Sequence, residues 1–206
     1  MAIKQKGATT TTFLLFLVLA VVVAAEAAQL QDDEPATAAG GSHARHQRRA
    51  NKASAGTGDA PTHLHFYFHD TVSGKSPTAV RVVSAPATSP SPLFGMVNVM
   101  DDPLTDGPEQ SSSAVVGRAQ GLYMGSDQAK LGFLQAMNLV FTAGDYNGST
   151  LALLGRNCPL DAVRELPVVG GTGAFRFARG YALLRTHWLD FTTGDATVEY
   201  DVYVMH

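Results

Sequence analysis

An alternation of apolar and polar residues that begins at His63 most constrains how this chain can fold. In the segment HLHFYFHD, Leu64, Phe66 and Phe68 fall on one side, while the histidines and Tyr67 fall on the other. Successive side chains of a β-strand point to opposite faces of the sheet, so this period of two predicts a strand with one buried face.

The same alternation recurs along the chain and predicts about eight strands in total. They are 63–70, 78–84, 93–100, 114–124, 131–142, 150–155, 174–187 and 196–205. Turn-forming pairs such as Asp102-Pro103 and Asn147-Gly148 separate them, which favours an antiparallel sandwich or a closed barrel. The strand at 131–142 carries bulky apolar residues on both faces, as expected where one face lines a barrel and the other meets a second subunit. We therefore predict an all-β fold, an antiparallel β-barrel that forms a homo-oligomer through its outer face.

The first residues have the order of a secretory signal peptide. Lys4 and Lys6 precede an uncharged apolar run of 13 residues, 13–25, that ends in Ala-Glu-Ala. This run is shorter than the roughly 20 residues needed to span a bilayer. We predict a signal peptide at 1–27, cleavage after Ala27, and a secreted, soluble mature protein without a membrane anchor.

Residues 28–60 differ in composition from the rest of the chain. They are rich in Ala, Gly, Ser and charge and have almost no large apolar side chains, which predicts a flexible arm. The remaining segment, 61–206, has nine Lys and Arg against thirteen Asp and Glu. An acidic balance argues against nucleic acid as a partner. Cys158 is the only cysteine, so the chain cannot form an intrachain disulfide.

The glycines Gly170, Gly171 and Gly173 lie in the stretch VVGGTGAFRFARGYA and raise the question of phosphate binding. A phosphate loop needs G-x-x-x-x-G-K-[ST], or G-x-G-x-x-G, in front of a helix. Here an alternating segment follows instead, so the glycines predict a turn before a strand at 174–187.

Three histidines, His63, His65 and His69, share one face of the first strand, and a His-x-His pair on a strand can bind a metal ion. The pattern lacks the Glu that should follow such a pair in a germin-like metal barrel. We therefore predict no metal site and no cofactor.

Other polar residues admit two interpretations each. Asp70 either caps the end of the first strand or, if it lies in a cavity, has a raised pKa and acts as a general acid. Arg164 and Glu165 can form an ion pair on the surface. Asn147-Gly148-Ser149 is both an N-glycosylation sequon and a hairpin turn signal.

Five ordered segments together resemble the dirigent protein family of plants, over essentially all of 63–206. They are FYFHD (66–70), FGMVNVMDDPLTDGPE (94–109), VVGRAQGLYMGS (115–126), GDYNGSTLALLGRN (144–157) and VRELPVVGGTGAFRFARGYA (163–182). The resemblance implies an eight-stranded antiparallel barrel of the allene oxide cyclase type, a trimer more readily than a dimer, located in the apoplast.

The resemblance also implies a function. In dirigent proteins a separate laccase or peroxidase makes phenoxy radicals from a monolignol such as coniferyl alcohol, and the barrel directs the stereochemistry of their coupling into lignans. The matching site residues here are Asp70, Tyr123 and Arg164, with Asp70 as the acid that assists closure of the quinone methide. Lignan-forming members carry a second Asp seven residues before the Arg, where this chain has Asn157.

Two further functions follow from the same resemblance. The GRN block and the ending VEYDVYVMH are similar to the branch with pterocarpan-forming members, in which a barrel promotes loss of water and ring closure through a quinone methide. A site with one carboxylate suits that chemistry. The third possible function is a cell-wall scaffold for lignin deposition. In that function the arm at 28–60, with its basic residues Arg45, Arg48, Arg49 and Lys52, would matter more than the barrel interior.

Overall fold

The computed structural model describes residues 60–206. The predicted signal peptide and all but the last residue of the predicted arm lie outside the described residues. Within the described part, no helix is long and apolar enough to cross a membrane.

Nine β-strands make up most of the described chain. They are β1 (Thr62–Asp70), β2 (Ala79–Val83), β3 (Val97–Thr105), β4 (Val115–Gly125), β5 (Phe133–Phe141), β6 (Thr150–Asn157), β7 (Arg164–Thr172), β8 (Arg179–Leu189) and β9 (Ala196–Met205). Two short 3₁₀ helices, Gly144–Tyr146 and Gly173–Phe175, interrupt the β5–β6 and β7–β8 connections.

The strands form an antiparallel sheet that closes on itself. Each strand from β2 to β9 pairs with its neighbour in the chain, and β9 returns to pair with β1 along its whole length. The barrel closes where β1 meets β3, through the pairs Tyr67–Thr105 and Phe68–Leu104. Strand β2 pairs only with β3 and lies outside this ring, so the predicted eight-stranded antiparallel barrel is confirmed.

The alternation in the sequence sets the inner and outer faces of the barrel. Phe66 and Phe68 are buried inside, as the pattern predicts, whereas His63 and His65 are exposed outside. His69 also lies on the outer face, but it is buried there. Its Nε2 is hydrogen-bonded to the Thr105 hydroxyl over 2.6 Å, and its Nδ1 is hydrogen-bonded to the Thr197 hydroxyl. In each of the other barrel strands, every second side chain likewise points into the interior.

The predicted number of barrel strands was right, but the chain has nine strands rather than eight, and the members of the barrel differ from the prediction. The segment predicted at 78–84 is a strand, β2, that the barrel does not include. The missing member is β7, which the sequence pattern did not predict because a proline and two glycines interrupt its apolar run. Gly170 and Gly171 lie inside β7, and only Gly173, with a φ of +63°, belongs to the turn. Strand β8 consequently begins at Arg179 rather than at 174.

The prediction of a turn at Asp102-Pro103 was wrong, because β3 runs through both residues to Thr105. At this point β3 changes its partner on one edge, from β2 to β1. The N–H of Asp101 bonds to Thr78 on that edge, and the nitrogen of Pro103, two residues further, points the same way. Proline is tolerated there because neither neighbour requires its missing N–H.

The two ends of the barrel interior differ in polarity. At the end where β1 begins, Phe141, Tyr146 and Phe175 pack against one another, with ring centroids 4.7 to 6.3 Å apart. Phe175 is fully buried, so aromatic side chains fill this end. Polar side chains collect at the opposite end, where β1 finishes at Asp70, and they form the candidate site.

Candidate active site

Two carboxyl groups lie opposite each other next to the junction between β1 and β3. Asp70 is the last residue of β1, and Asp102 lies in the middle of β3. The last pair between the two strands is Phe68–Leu104, and two further positions along each strand bring Asp70 opposite Asp102. The charge of Asp70 raises the pKa of Asp102, as expected for two carboxyls on opposite positions of neighbouring strands.

Burial raises the pKa of both carboxyls in this pair. Asp102 is 0% exposed, and neither of its oxygens, nor Oδ1 of Asp70, has a hydrogen-bond partner of good geometry among residues 60–206. Burial, followed by the charge of Asp70, raises the pKa of Asp102 to about 8, although the nearby Thr78 hydroxyl lowers it. Burial likewise raises the pKa of Asp70 to about 6. The pair therefore retains a proton at neutral pH.

A tyrosine and an asparagine complete this acidic cluster. The side-chain amide of Asn98 donates to the Tyr123 hydroxyl over 2.7 Å, and the Tyr123 hydroxyl interacts with the carboxyl of Asp70. Burial and the charge of Asp70 raise the pKa of Tyr123, so its hydroxyl stays protonated. Its hydrogen bond lowers the pKa of Asp70, in opposition to burial.

A second polar cluster surrounds Arg164 at the start of β7. Its guanidinium donates to Asn157 Oδ1 at 3.2 Å, to Thr186 Oγ1 at 2.9 Å, and to the carbonyl of Asp161. Asn157 in turn donates to Gln135 over 2.6 Å. Arg164 is only 5% exposed, and burial lowers its pKa from the usual value.

Tyr200 on β9 connects the two clusters electrostatically. It is buried, and burial raises the pKa of its hydroxyl. The charges of Asp70 and Asp102 raise that pKa too, while Arg164 and a hydrogen bond with Gln135 lower it. Both clusters therefore act on one tyrosine and share the polar half of the barrel interior.

The structure separates the residues singled out in the sequence into three places. Asp70 and Tyr123 lie together in the acidic cluster, and Arg164 lies in the second cluster next to Asn157. The prediction of a surface ion pair between Arg164 and Glu165 was wrong, because Arg164 points inward and Glu165 is exposed. Asn147 is exposed in the turn before β6, at the aromatic end.

The histidines considered as a metal pair are bonded to carboxylates on the outer face. His63 Nε2 lies 2.8 Å from Asp201, and His65 Nε2 lies 3.0 Å from Glu199. Within 60–206, no three His, Cys, Asp or Glu side chains are arranged to hold a metal ion.

Sequence reasoning missed Asp102, and with it the second carboxyl of the site. The expectation of a site with one carboxylate is therefore corrected to one with two, supplied by β1 and β3. The available signal was the alternation along the strand: every second residue is buried, namely Asn98, Met100, Asp102 and Leu104. Ending the strand at 100 because of the proline hid this pattern.

The arrangement defines a class of protein: a closed antiparallel barrel whose interior is aromatic at one end and carries a proton-holding carboxyl pair and an arginine at the other. A family model described as dirigent-like protein matches residues 61–205. The chain belongs to the dirigent family.

Individual relatives agree with this assignment. Dirigent protein 21 of Arabidopsis thaliana is 58% identical over 149 residues, which cover 72% of this chain and 78% of the relative. Pterocarpan synthase 1 of Glycine max is 54% identical over 147 residues, covering 70% and 78%. A solved structure of a pterocarpan synthase dirigent protein is 52% identical, with a TM-score of 0.66 and coverage of 70% of this chain and 94% of that one.

Proposed function

We propose that this dirigent barrel closes a ring on a phenolic substrate through a quinone methide, with loss of water. The observation that carries the proposal is the buried pair of Asp70 and Asp102, which retains a proton at neutral pH. A group that donates a proton near neutral pH is what departure of a hydroxyl requires. The similarity to proteins named pterocarpan synthases supports the same assignment.

The chemistry balances without an oxidant. The protonated carboxyl gives its proton to a benzylic hydroxyl, the C–O bond breaks and water leaves. A phenol in conjugation with that carbon releases its proton to the ionised carboxyl, which leaves a neutral quinone methide. A second phenolic hydroxyl adds to the methide carbon, its proton goes to one carboxyl, and the other carboxyl reprotonates the quinone oxygen. The pair ends with one proton, as it began.

Arg164 and Tyr123 carry polar groups that can orient such a substrate. The Nη2 group of Arg164 makes no hydrogen bond within 60–206, so it is available to a phenolic or quinone oxygen. Tyr123 stays protonated and packs against Phe133, with ring centroids 5.2 Å apart. An apolar wall with a few fixed polar groups selects one face of a flat phenolic ring.

The test is turnover of a phenolic benzylic alcohol by the purified barrel without any oxidase. We expect Asp102→Asn to lower kcat by about 10²-fold or more, because the amide cannot donate and recover the proton. The matched control is Asp101→Asn, which changes the next residue on the exposed face. We also expect kcat to fall as pH rises through about 8, where Asp102 loses its proton. Unchanged turnover in Asp102→Asn would refute this assignment.

Stereoselective coupling of phenoxy radicals is the second candidate function. The observation that favours it is the aromatic character of the interior beside the carboxyls, where the ring centroids of Phe68 and Tyr200 lie 5.7 Å apart and those of Tyr123 and Phe133 lie 5.2 Å apart. In this role a laccase or peroxidase supplies radicals of a monolignol such as coniferyl alcohol. An enantiomeric excess that needs both the oxidase and the barrel would support it, and racemic products with several monolignols would exclude it.

We further propose that the protein acts outside the cell, with a glycan on Asn147. The first 27 residues have the order of a signal peptide, and Asn147 is exposed within its sequon. Fluorescent fusions with and without residues 1–27 test the export. Mobility after glycosidase treatment of wild type and Asn147→Gln tests the glycan.

A further inference from the structure

We infer that Arg81 and Asn98 are positioning residues that turn the hydroxyl proton of Tyr123 toward Asp70. The inference deepens the proposed function and rests on it, because it assigns a role in the same acid site to residues that touch no substrate. Neither residue is singled out by the sequence pattern. Arg81 lies on β2, the strand outside the barrel, and Asn98 lies on β3.

The first link joins the exposed strand to the buried site. Arg81 and Asn98 are register partners, and Nε of Arg81 donates to Oδ1 of Asn98 over 3.3 Å. A guanidinium has only donors, so it fixes which end of the Asn98 amide faces it. The opposite orientation would set N–H against N–H. Asn98 is 4% exposed and has no bulk solvent around it to offset that mismatch.

The second link carries this orientation to the tyrosine. With its oxygen turned to Arg81, Asn98 presents its NH₂ group, which donates to the Tyr123 hydroxyl oxygen over 2.7 Å. The hydroxyl oxygen is then occupied as an acceptor, and its own proton is free to point at Asp70. The two hydrogen bonds run in one direction, from Arg81 through Asn98 to Tyr123, and they leave the Tyr123 proton to face the carboxyl of Asp70.

A fixed direction matters because it separates the roles of the two carboxyls. The Tyr123 hydroxyl favours the charged form of Asp70, and the Thr78 hydroxyl does the same for Asp102, but burial outweighs this effect more strongly at Asp102, which is 0% exposed. Asp102 is therefore the carboxyl that keeps the proton and donates it first, and Asp70 is the one that accepts. If the Asn98 amide were free to flip, Tyr123 could turn its proton away and the two carboxyls would become more alike.

The other charged or titratable groups that face Asp70 come from three elements. They are Asp102 on β3, Tyr200 on β9 and Asp195 in the turn before β9. Asp195 is held by the backbone N–H groups of Val72 and Ser73. None of these contacts involves Arg81. Substitution of Arg81 therefore tests only the series of contacts from Arg81 through Asn98 and Tyr123 to Asp70, which we name the directed chain.

The experiment compares Arg81→Met, which removes the donor, with Arg81→Lys, which keeps one. Asn98→Leu breaks the chain at its next link, and Arg156→Met removes an exposed arginine whose ion pair is with Asp127. The primary readout is titration of the Asp70 carboxyl by ¹³C NMR, which needs no substrate. Circular dichroism and thermal unfolding show that each variant is folded.

We expect the pKa of Asp70 to rise in Arg81→Met and Asn98→Leu and to stay at the wild-type value in Arg81→Lys and Arg156→Met. We expect kcat to fall about tenfold in the first two, the cost of one hydrogen bond to a charged group, with KM little changed. An Asp70 titration that is the same in wild type, Arg81→Met and Asn98→Leu overturns the inference. If the NMR shifts appear but no phenolic alcohol is turned over by wild type, the directed chain stands and the proposed function fails.

Discussion

Asp102 makes the stability of the folded protein depend on pH. An unfolded Asp has a pKa of about 3.9, whereas burial raises the pKa of Asp102 to about 8 in the folded protein. Between these values the folded protein keeps a proton that the unfolded chain has released. Stability therefore falls as pH rises, by up to about 1.4 kcal/mol per pH unit for one such group.

Urea unfolding at pH 5, 6, 7 and 8 measures this slope. We expect Asp102→Asn to flatten it, because the amide stays neutral in both states, and to stabilise the protein most at pH 8. Asp101→Asn should keep most of the wild-type slope, since Asp101 lies on the exposed face with Arg118 and its charge is the smallest of the effects on Asp102. Equal slopes in all three proteins would mean that Asp102 is already ionised in the folded state at neutral pH.

At the scale of elements, the sequence predicted strands well wherever alternation was uninterrupted. Strands β1, β5 and β9 lie within two residues of their predicted limits. The failures occurred where glycine or proline has a different function in a barrel than in a turn, as with Gly170 in β7 and Pro103 in β3. The candidate site was also predicted only in part. The resemblance identified Asp70, Tyr123 and Arg164, but Asp102 was missed because the predicted strand stopped at residue 100.

Strand β4 depends on a glycine for its close approach to β5. A Cβ at Gly121 would lie 2.1 Å from the carbonyl oxygen of Ala136 and 2.6 Å from Cα of Met137. Backbone atoms cannot give way as a flexible side chain can, so Gly121→Ala must displace β4, which also carries Tyr123. We expect a loss of about 2 kcal/mol or more in the free energy of unfolding.

The matched control for this prediction is Gly170→Ala on β7. A Cβ there meets no atom within 4 Å, and the φ of Gly170 is not positive. We expect a change of less than about 1 kcal/mol, in either direction. Guanidinium unfolding of the two variants checks the difference, and similar losses in both would mean that the β4–β5 contact does not limit stability.

At the scale of the whole molecule, one side of the barrel exposes a continuous apolar surface. Five residues in register cross β2 to β6 and form what we name the outer apolar row: Val80, Val99, Leu122, Ala136 and Leu154. A second row beside it contains Val83, Val97, Met124 and Leu134. Exposed apolar rows of this kind are typical of a protein interface.

We propose that the outer apolar row is where copies of this barrel associate, as a trimer or a dimer. Leu154 is 45% exposed in the single chain, so Leu154→Glu should leave the fold intact but place a charge in the interface. We expect sedimentation velocity at micromolar concentration to show an oligomer for wild type and a monomer for Leu154→Glu. Trp188→Glu is the control, because Trp188 is 51% exposed but lies on β8, outside the row. If Trp188→Glu dissociates the assembly and Leu154→Glu does not, the interface lies on the opposite side of the barrel, and a monomeric wild type would exclude association altogether.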